Sequence, residues 1–179
     1  MSAIKKEYLP SYTYRDYLKW EGNWELIYGV PYAMAPSPSI EHQSISNNIA
    51  WILKDALKEC QECKALLPVD WKISDNTIVQ PDNLVICHKP LHKNYLSKAP
   101  KIIFEILSPS TAIKDHNMKF ELYQQEGVEY YIIVNPSDGV AKVYRLREGR
   151  YIKIADASDE SIHFELQECS FVFDFGKIW

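Results

Sequence analysis

The chain has 179 residues, 46% of them hydrophobic, with 20 basic against 24 acidic side chains and a formal net charge of −4. That length and apolar content fit one compact domain over residues 1–179 and exclude a disordered or fibrous protein. The acidic balance excludes a broadly basic nucleic-acid binder, so a nucleic-acid contact would have to come from a local basic patch or from paired subunits.

No apolar run approaches the roughly 20 residues of a membrane span, and the first residues lack the apolar core of a signal peptide. The expected location is the cytoplasm. Four cysteines are too few for a disulfide scaffold, in keeping with a reducing compartment.

In chain order, residues 10–20 predict a short helix capped by Ser11 or Thr13. Residues 24–27 and 30–34 predict a hairpin around Gly29, followed by a breaker-rich loop over 35–39. Ile45, Ile49, Ile52, Leu53, Ala56 and Cys60 recur at helical spacing, which predicts a helix over 41–60. Ser39 is its N-cap, and Glu41 in the first turn complements the dipole. Strands are expected at 65–73, 77–80, 83–87 and 101–107. A second helix over 112–126 ends at Gly127, and 130–134 is a buried strand. Segments 140–146, 151–155, 161–165 and 170–173 complete a C-terminal β meander. This order predicts an α/β fold with a central mixed sheet between two main helices.

The chemistry concentrates in three residues. Asp82 stands in Gln80-Pro81-Asp82, Glu105 near the end of the apolar run 101–107, and Lys119 beyond the turn Ser108-Pro109-Ser110. Glu105 shares its strand face with Ile103 and Leu107, since side chains alternate along a strand. A carboxylate in an apolar row is costly without a cation. A hard divalent metal shared with a second carboxylate is one answer. Strands 83–87 and 101–107 follow one another and are expected to be neighbours, which brings Asp82 and Glu105 to one end of the sheet. Glu105 lies about 7 Å back from its strand end. Lys119 lies roughly 10 Å into the returning helix, so the two come out nearly level. Asp115 and Tyr123 flank Lys119 on the same helix face.

Each of these residues also has a plainer reading. Glu105 and Lys119 could form a buried ion pair that orients helix on sheet, and Asp82 could be a turn residue. Glu25, alternating with Trp24 and Leu26, could face solvent on pattern alone. His42 could be an ordinary polar residue at a helix start. Cys60 and Cys63 have zinc-knuckle spacing, but Cys87-His88 and Cys169 supply no second pair at similar spacing, so no zinc site is expected. Lys89, His92, Lys93 and Lys98, with His88 and Lys101, form a candidate nucleic-acid loop. Arg145, Arg147 and Arg150 form a second candidate.

The stretches 24–30, 37–42, 80–85, 103–111 and 115–136 carry a resemblance. They include Gln80-Pro81-Asp82, Glu105-Ile106-Leu107-Ser108-Pro109 and the spacing Asp115-x3-Lys119-x3-Tyr123-x3-Gly127. The chain resembles the PD-(D/E)XK nuclease superfamily and, within it, the bacterial Uma-two family of restriction-endonuclease-like proteins, over about residues 12–146. The resemblance implies a restriction-endonuclease-like fold. It also implies Asp82 and Glu105 as metal ligands, the Ile106 carbonyl as a third ligand, and Glu25 as an additional acid. The superfamily's usual lysine, two residues after the second acid, is Leu107 here, and Lys119 fits that role from the helix. His42 lies in the family's loop-helix motif.

The expected activity is Mg²⁺-dependent (or Mn²⁺-dependent) endonucleolytic hydrolysis of DNA by a homodimer, without a nucleotide cofactor or a membrane partner. Two other readings stay open: a non-catalytic nucleic-acid-binding or protein-interaction module on a nuclease scaffold, and a hydrolase or nucleotide-processing enzyme with the same metal centre.

Overall fold

The computed structural model describes residues 10–34, 37–108 and 114–179, with side chains in the last segment from residue 117 onward. Three α-helices and thirteen strands are described: α1 (Tyr14–Tyr17), β1 (Trp24–Ile27), β2 (Val30–Ala33), α2 (Ile40–Ala56), β3 (Lys64–Leu66), β4 (Asp70–Ser74), β5 (Thr77–Val79), β6 (Asn83–Ile86), β7 (Tyr95–Leu96), β8 (Ile102–Ile106), α3 (Lys114–Gln125), β9 (Tyr130–Asn135), β10 (Val140–Arg147), β11 (Arg150–Ala157), β12 (Ser161–Glu165) and β13 (Ser170–Asp174). The expected loop over 35–39 lies partly outside the described residues, as does the start of the second helix.

The strands are arranged in three sheets. The main sheet runs β11-β10-β9-β8-β6-β3, a second runs β2-β1-β5-β4-β7, and β12-β13 stand apart. In the main sheet only β8 and β9 run parallel, with α3 as the crossover between them, because a parallel pair cannot be closed by a tight turn. The C-terminal meander is therefore split. β10 and β11 extend the main sheet, while the β12–β13 hairpin packs on one of its faces.

Alternation along the strands builds two cores. Val85, Ile102, Phe104, Ile106, Tyr130, Ile132 and Val134 meet α2 and the hairpin phenylalanines Phe164, Phe171 and Phe173. Leu84, Ile86, Ile103, Tyr131 and Ile133 point the other way, toward Leu122 and Tyr123 of α3 and toward Ile27, Trp71 and Val79 of the second sheet. A one-residue slip of β8 would exchange these two sets, so the register is tightly specified.

Other boundaries moved for local reasons. The expected strand over 65–73 is β3 and β4, in different sheets. Pro68 between them has no N–H to give a ladder. Helix α2 stops at Ala56 because the chain then tightens into short-range bonds, Lys58 N–H to Asp55 O and Cys60 N–H to Leu57 O, a common way to satisfy the last carbonyls. Helix α1 has only four residues. Thr13 caps it, and the Asp16 carboxylate accepts both the Thr13 N–H at 3.0 Å and its hydroxyl at 2.9 Å. Gly29 takes φ +80° in the turn between β1 and β2, where an added Cβ would fall 2.2 Å from Ser11 Oγ. That position therefore needs glycine both for its dihedral and for space.

The four cysteines, expected to stay unbridged, form two disulfides, Cys60–Cys169 and Cys63–Cys87. Pairing of Lys64 with Ile86 sets residues 63 and 87 opposite each other. No helix among the described residues is long and apolar enough to cross a membrane.

Candidate metal centre

Asp82 directly precedes β6, and Glu105 is the fourth residue of β8. The antiparallel register that pairs Asn83 with Phe104 brings the two acids to the same end of the main sheet. Asp82 reaches past its own strand: its Oδ2 accepts the main-chain N–H of Ile106 at 2.8 Å. This contact holds the acid beside the Ile106 peptide, whose carbonyl is the expected third ligand.

Glu105 lies on the face of β8 that α3 covers. Lys119 and Tyr123, one helical turn apart on α3, both reach its Oε1, at 3.1 Å and 2.7 Å. The agreement with the spacing argument follows from antiparallel geometry: strand and helix advance at different rises, but both are counted from one short stretch of sequence between them. Lys119 also lies 2.8 Å from Glu25 Oε1. That oxygen accepts the Gln80 N–H at 2.8 Å as well. Glu25 is buried, 4% exposed, so its alternation in β1 does not place it in solvent. Both faces of that strand are covered.

His42 sits in the first turn of α2, where its N–H is donated to the Ser39 cap at 3.1 Å. Its Nε2 lies 3.3 Å from Asp82 Oδ2, and its Nδ1 is buried with no partner. The structure therefore brings together Asp82, Glu105, Lys119, Glu25, Ile106, His42 and Tyr123. Asp115 falls in α3, but its side chain lies outside the described residues.

The basic loop is arranged differently. Lys89, His92, Lys93 and Lys98 are exposed. They lie between the far end of β6 and the start of β8, and none pairs with Asp82, Glu105 or Lys119. His92 stacks on Tyr95 with ring centroids 4.2 Å apart. Arg145 is committed elsewhere, to Glu165 at 2.9 Å and over the Tyr130 ring, which leaves Arg147 and Arg150 exposed at the hairpin end.

Electrostatics explain what the cluster is prepared to hold. Burial is the main force on Glu105 and pushes its carboxyl up to about 8; Lys119 opposes this, and the charges of Asp82 and Glu25 reinforce it. Burial alone would depress the Lys119 ammonium, but Glu105 and Glu25 outweigh it and hold the group above the ordinary lysine value. Burial, then Glu105, keeps the Tyr123 phenol far above its usual range, so it remains a donor. The hydrogen bond to Asp82 raises the His42 imidazole against the opposing effect of burial.

Three acidic side chains, Asp82, Glu105 and Glu25, gather around one ammonium, and Glu105 keeps its proton up to about 8 unless further positive charge arrives. An ion pair that only oriented helix on sheet would not require that surplus of acids. The surplus suits a hard divalent cation, which takes oxygen ligands. Lys119 and Tyr123 converge on Oε1 of Glu105, so Oε2 is left out of those two contacts. By its donor set the site fits Mg²⁺ or Mn²⁺ on Asp82, Glu105 and the Ile106 carbonyl.

Sequence reasoning missed the support behind Glu25. Gln80 binds Glu25 through its main chain. Its side-chain amide reaches Asp70 Oδ1 at 2.6 Å and Tyr17 Oη at 3.2 Å. Gln80 was legible only as the residue before Pro81-Asp82. Nothing in the spacing of Asp70 or Tyr17 pointed to the site.

The chain is similar to known proteins in fold and in family. No curated protein matches the chain. A solved structure, of a putative nuclease belonging to DUF820 from Anabaena variabilis ATCC 29413, superimposes with a TM-score of 0.71 at 19% identity. The match covers 84% of this chain and 87% of that one. At that identity the likeness establishes the fold, which is mixed α/β and restriction-endonuclease-like. Residues 14–170 match the Uma2 family, described as "Putative restriction endonuclease", and the chain belongs to that family.

Proposed function

We propose that this protein is a divalent-metal-dependent endonuclease that hydrolyses phosphodiester bonds of DNA. The observation that carries the reading is the convergence of Asp82, Glu105 and Lys119, drawn from β6, β8 and α3, on one end of the main sheet. Asp82 and Glu105, with the Ile106 carbonyl, would hold Mg²⁺ or Mn²⁺. When bound, the cation supplies Lewis-acid polarisation of the scissile phosphate and offsets charge on its oxygens.

The chain's own groups have separable tasks. Lys119 stays an ammonium, because Glu25 and Glu105 both favour its charged form. It therefore acts as a cationic donor rather than as a base, able to orient a water or to meet the developing charge on the phosphoryl oxygens. Glu25 fixes the direction of Lys119. Tyr123 holds Glu105 in place. His42, bonded to Asp82, is close enough to exchange a proton with groups at the site.

The test combines binding with cleavage. Mg²⁺ or Mn²⁺ should raise the melting temperature, and the rise should vanish in Asp82→Asn and Glu105→Gln. A panel of double-stranded DNA, single-stranded DNA, RNA and nucleotides should show metal-dependent internal cleavage of DNA. No metal-dependent stabilisation, or cleavage undiminished in Asp82→Asn, would overturn the proposal.

A further inference from the structure

The four cysteines converge from distant parts of the chain. Cys60 and Cys63 follow α2, Cys87 directly follows β6, and Cys169 lies in the turn between β12 and β13. The sulfurs of Cys60, Cys63 and Cys169 all lie within 4.8 Å of one another, and Cys87 is bonded to Cys63. All four sulfurs therefore belong to one cluster.

The ligand types and the partial burial fit a metal. Tetrahedral zinc with Zn–S distances of about 2.3 Å sets its sulfurs about 3.8 Å apart, inside the 4.8 Å that spans the sulfurs of Cys60, Cys63 and Cys169. Cys60-x2-Cys63 is one chelating pair, and Cys87 and Cys169 supply the other from across the sheet. Cys63 is 5% exposed, and the other three are half-buried against the same core as α2 and the hairpin. Four thiolates around Zn²⁺ carry a net charge of −2, and lysines lie near them in the chain or beside their neighbours. Lys64 adjoins Cys63, and Lys101 pairs with Glu168, the residue before Cys169, at 3.2 Å. The other carboxylate oxygen of Glu168 is buried with no partner.

We propose that Cys60, Cys63, Cys87 and Cys169 form a structural zinc site that ties the β12–β13 hairpin to the end of α2 and to the β3–β6 edge of the main sheet. A dithiol reductant gives up two electrons and two protons to each bridge, yielding two thiols and becoming a disulfide itself. The four resulting thiols release their protons as they take up one Zn²⁺. The site lies at the opposite end of β6 from Asp82, so it stands or falls independently of the metal centre there.

The test uses the full chain, reduced under anaerobic conditions until all four thiols react with a thiol reagent. The expected result is about one Zn²⁺ per chain by elemental analysis. Co²⁺ in its place should give thiolate-to-metal charge-transfer absorption. Cys169→Ser and Cys60→Ser, at the half-buried positions, should weaken binding by at least about tenfold. Asp82→Asn should leave it unchanged. Zinc release from the wild-type chain on thiol modification gives a readout that does not depend on any variant folding. A fully reduced chain that binds neither Zn²⁺ nor Co²⁺, or binding undiminished in both cysteine variants, would overturn the assignment.

Discussion

The Asp82 carboxylate accepts the Ile106 main-chain N–H at 2.8 Å, so an acid before β6 is tied to the last residue of β8. The same oxygen faces His42 at 3.3 Å. Replacing Asp82 thus has a structural effect as well as a chemical one. Asp82→Ala leaves the Ile106 N–H unpaired, at a cost of about 1–3 kcal/mol. Asp82→Asn keeps an acceptor there. Both variants should lose metal-dependent cleavage, and only Asp82→Ala should shift the urea midpoint clearly. Cleavage retained in Asp82→Asn at the wild-type rate would remove Asp82 from the chemistry.

Lys119 is the cation shared by two buried carboxylates. Lys119→Met leaves Glu25 and Glu105 without it. Removing one member of a buried charged network costs about 3–5 kcal/mol. The denaturation midpoint at neutral pH should fall accordingly, and Mg²⁺ should restore part of the loss by supplying positive charge. A variant as stable as the parent would show that solvent already screens these acids.

Tyr123→Phe deletes one hydroxyl and keeps the ring, which stacks on Trp71 with centroids 5.8 Å apart. The lost hydrogen bond to Glu105 contributes about 0.5–1.5 kcal/mol. Without it the Glu105 carboxyl should hold its proton still more tightly. Metal affinity by calorimetry should therefore weaken, while the circular dichroism spectrum stays that of the parent.

Glu105 sets a pH window. Its carboxyl moves from an ordinary 4.5 up to about 8 in the folded chain, mainly through burial. Between those values the folded state binds more protons than the unfolded state, so the metal-free protein should lose stability as pH rises across the window. A metal must displace that proton. The Mg²⁺-induced rise in melting temperature should therefore grow with pH until it levels off near 8. A rise of constant size across the window would mean that Glu105 is not a ligand.

The exposed loop of Lys89, His92, Lys93 and Lys98 offers a separable test of DNA contact. If Lys93 meets a phosphate, Lys93→Ala should reduce the slope of log affinity against log salt by about one unit. Anisotropy with labelled duplex at several salt concentrations reads this directly. An unchanged slope assigns Lys93 to solvated surface.

The main elements were legible because local rules held. The near-continuous apolar runs of β8 and β9 mark strands buried on both faces, and Ile45, Ile49, Ile52 and Leu53 mark the inner side of α2. Glu105 and Lys119 could be matched because few residues separate their elements and both rises are constant. Glu25 misled because alternation assumes that one strand face is wet, whereas β1 is covered on both. The split of 65–73 into two sheets could have been suspected at Pro68, but which sheet each half would join depends on long-range pairing. The short β7 carries too few residues for any period to show.

Residue order alone determined the class of fold and the three side chains on which the proposed chemistry turns, since these follow from period, breakers and short-range spacing. Only the folded chain decided that His42 and Gln80 would attend them, that three acids would face one ammonium, and that four cysteines spread from 60 to 169 would meet. Such meetings depend on which strand lies beside which. That choice is made by the packing of whole faces against each other, and no single stretch of sequence encodes it.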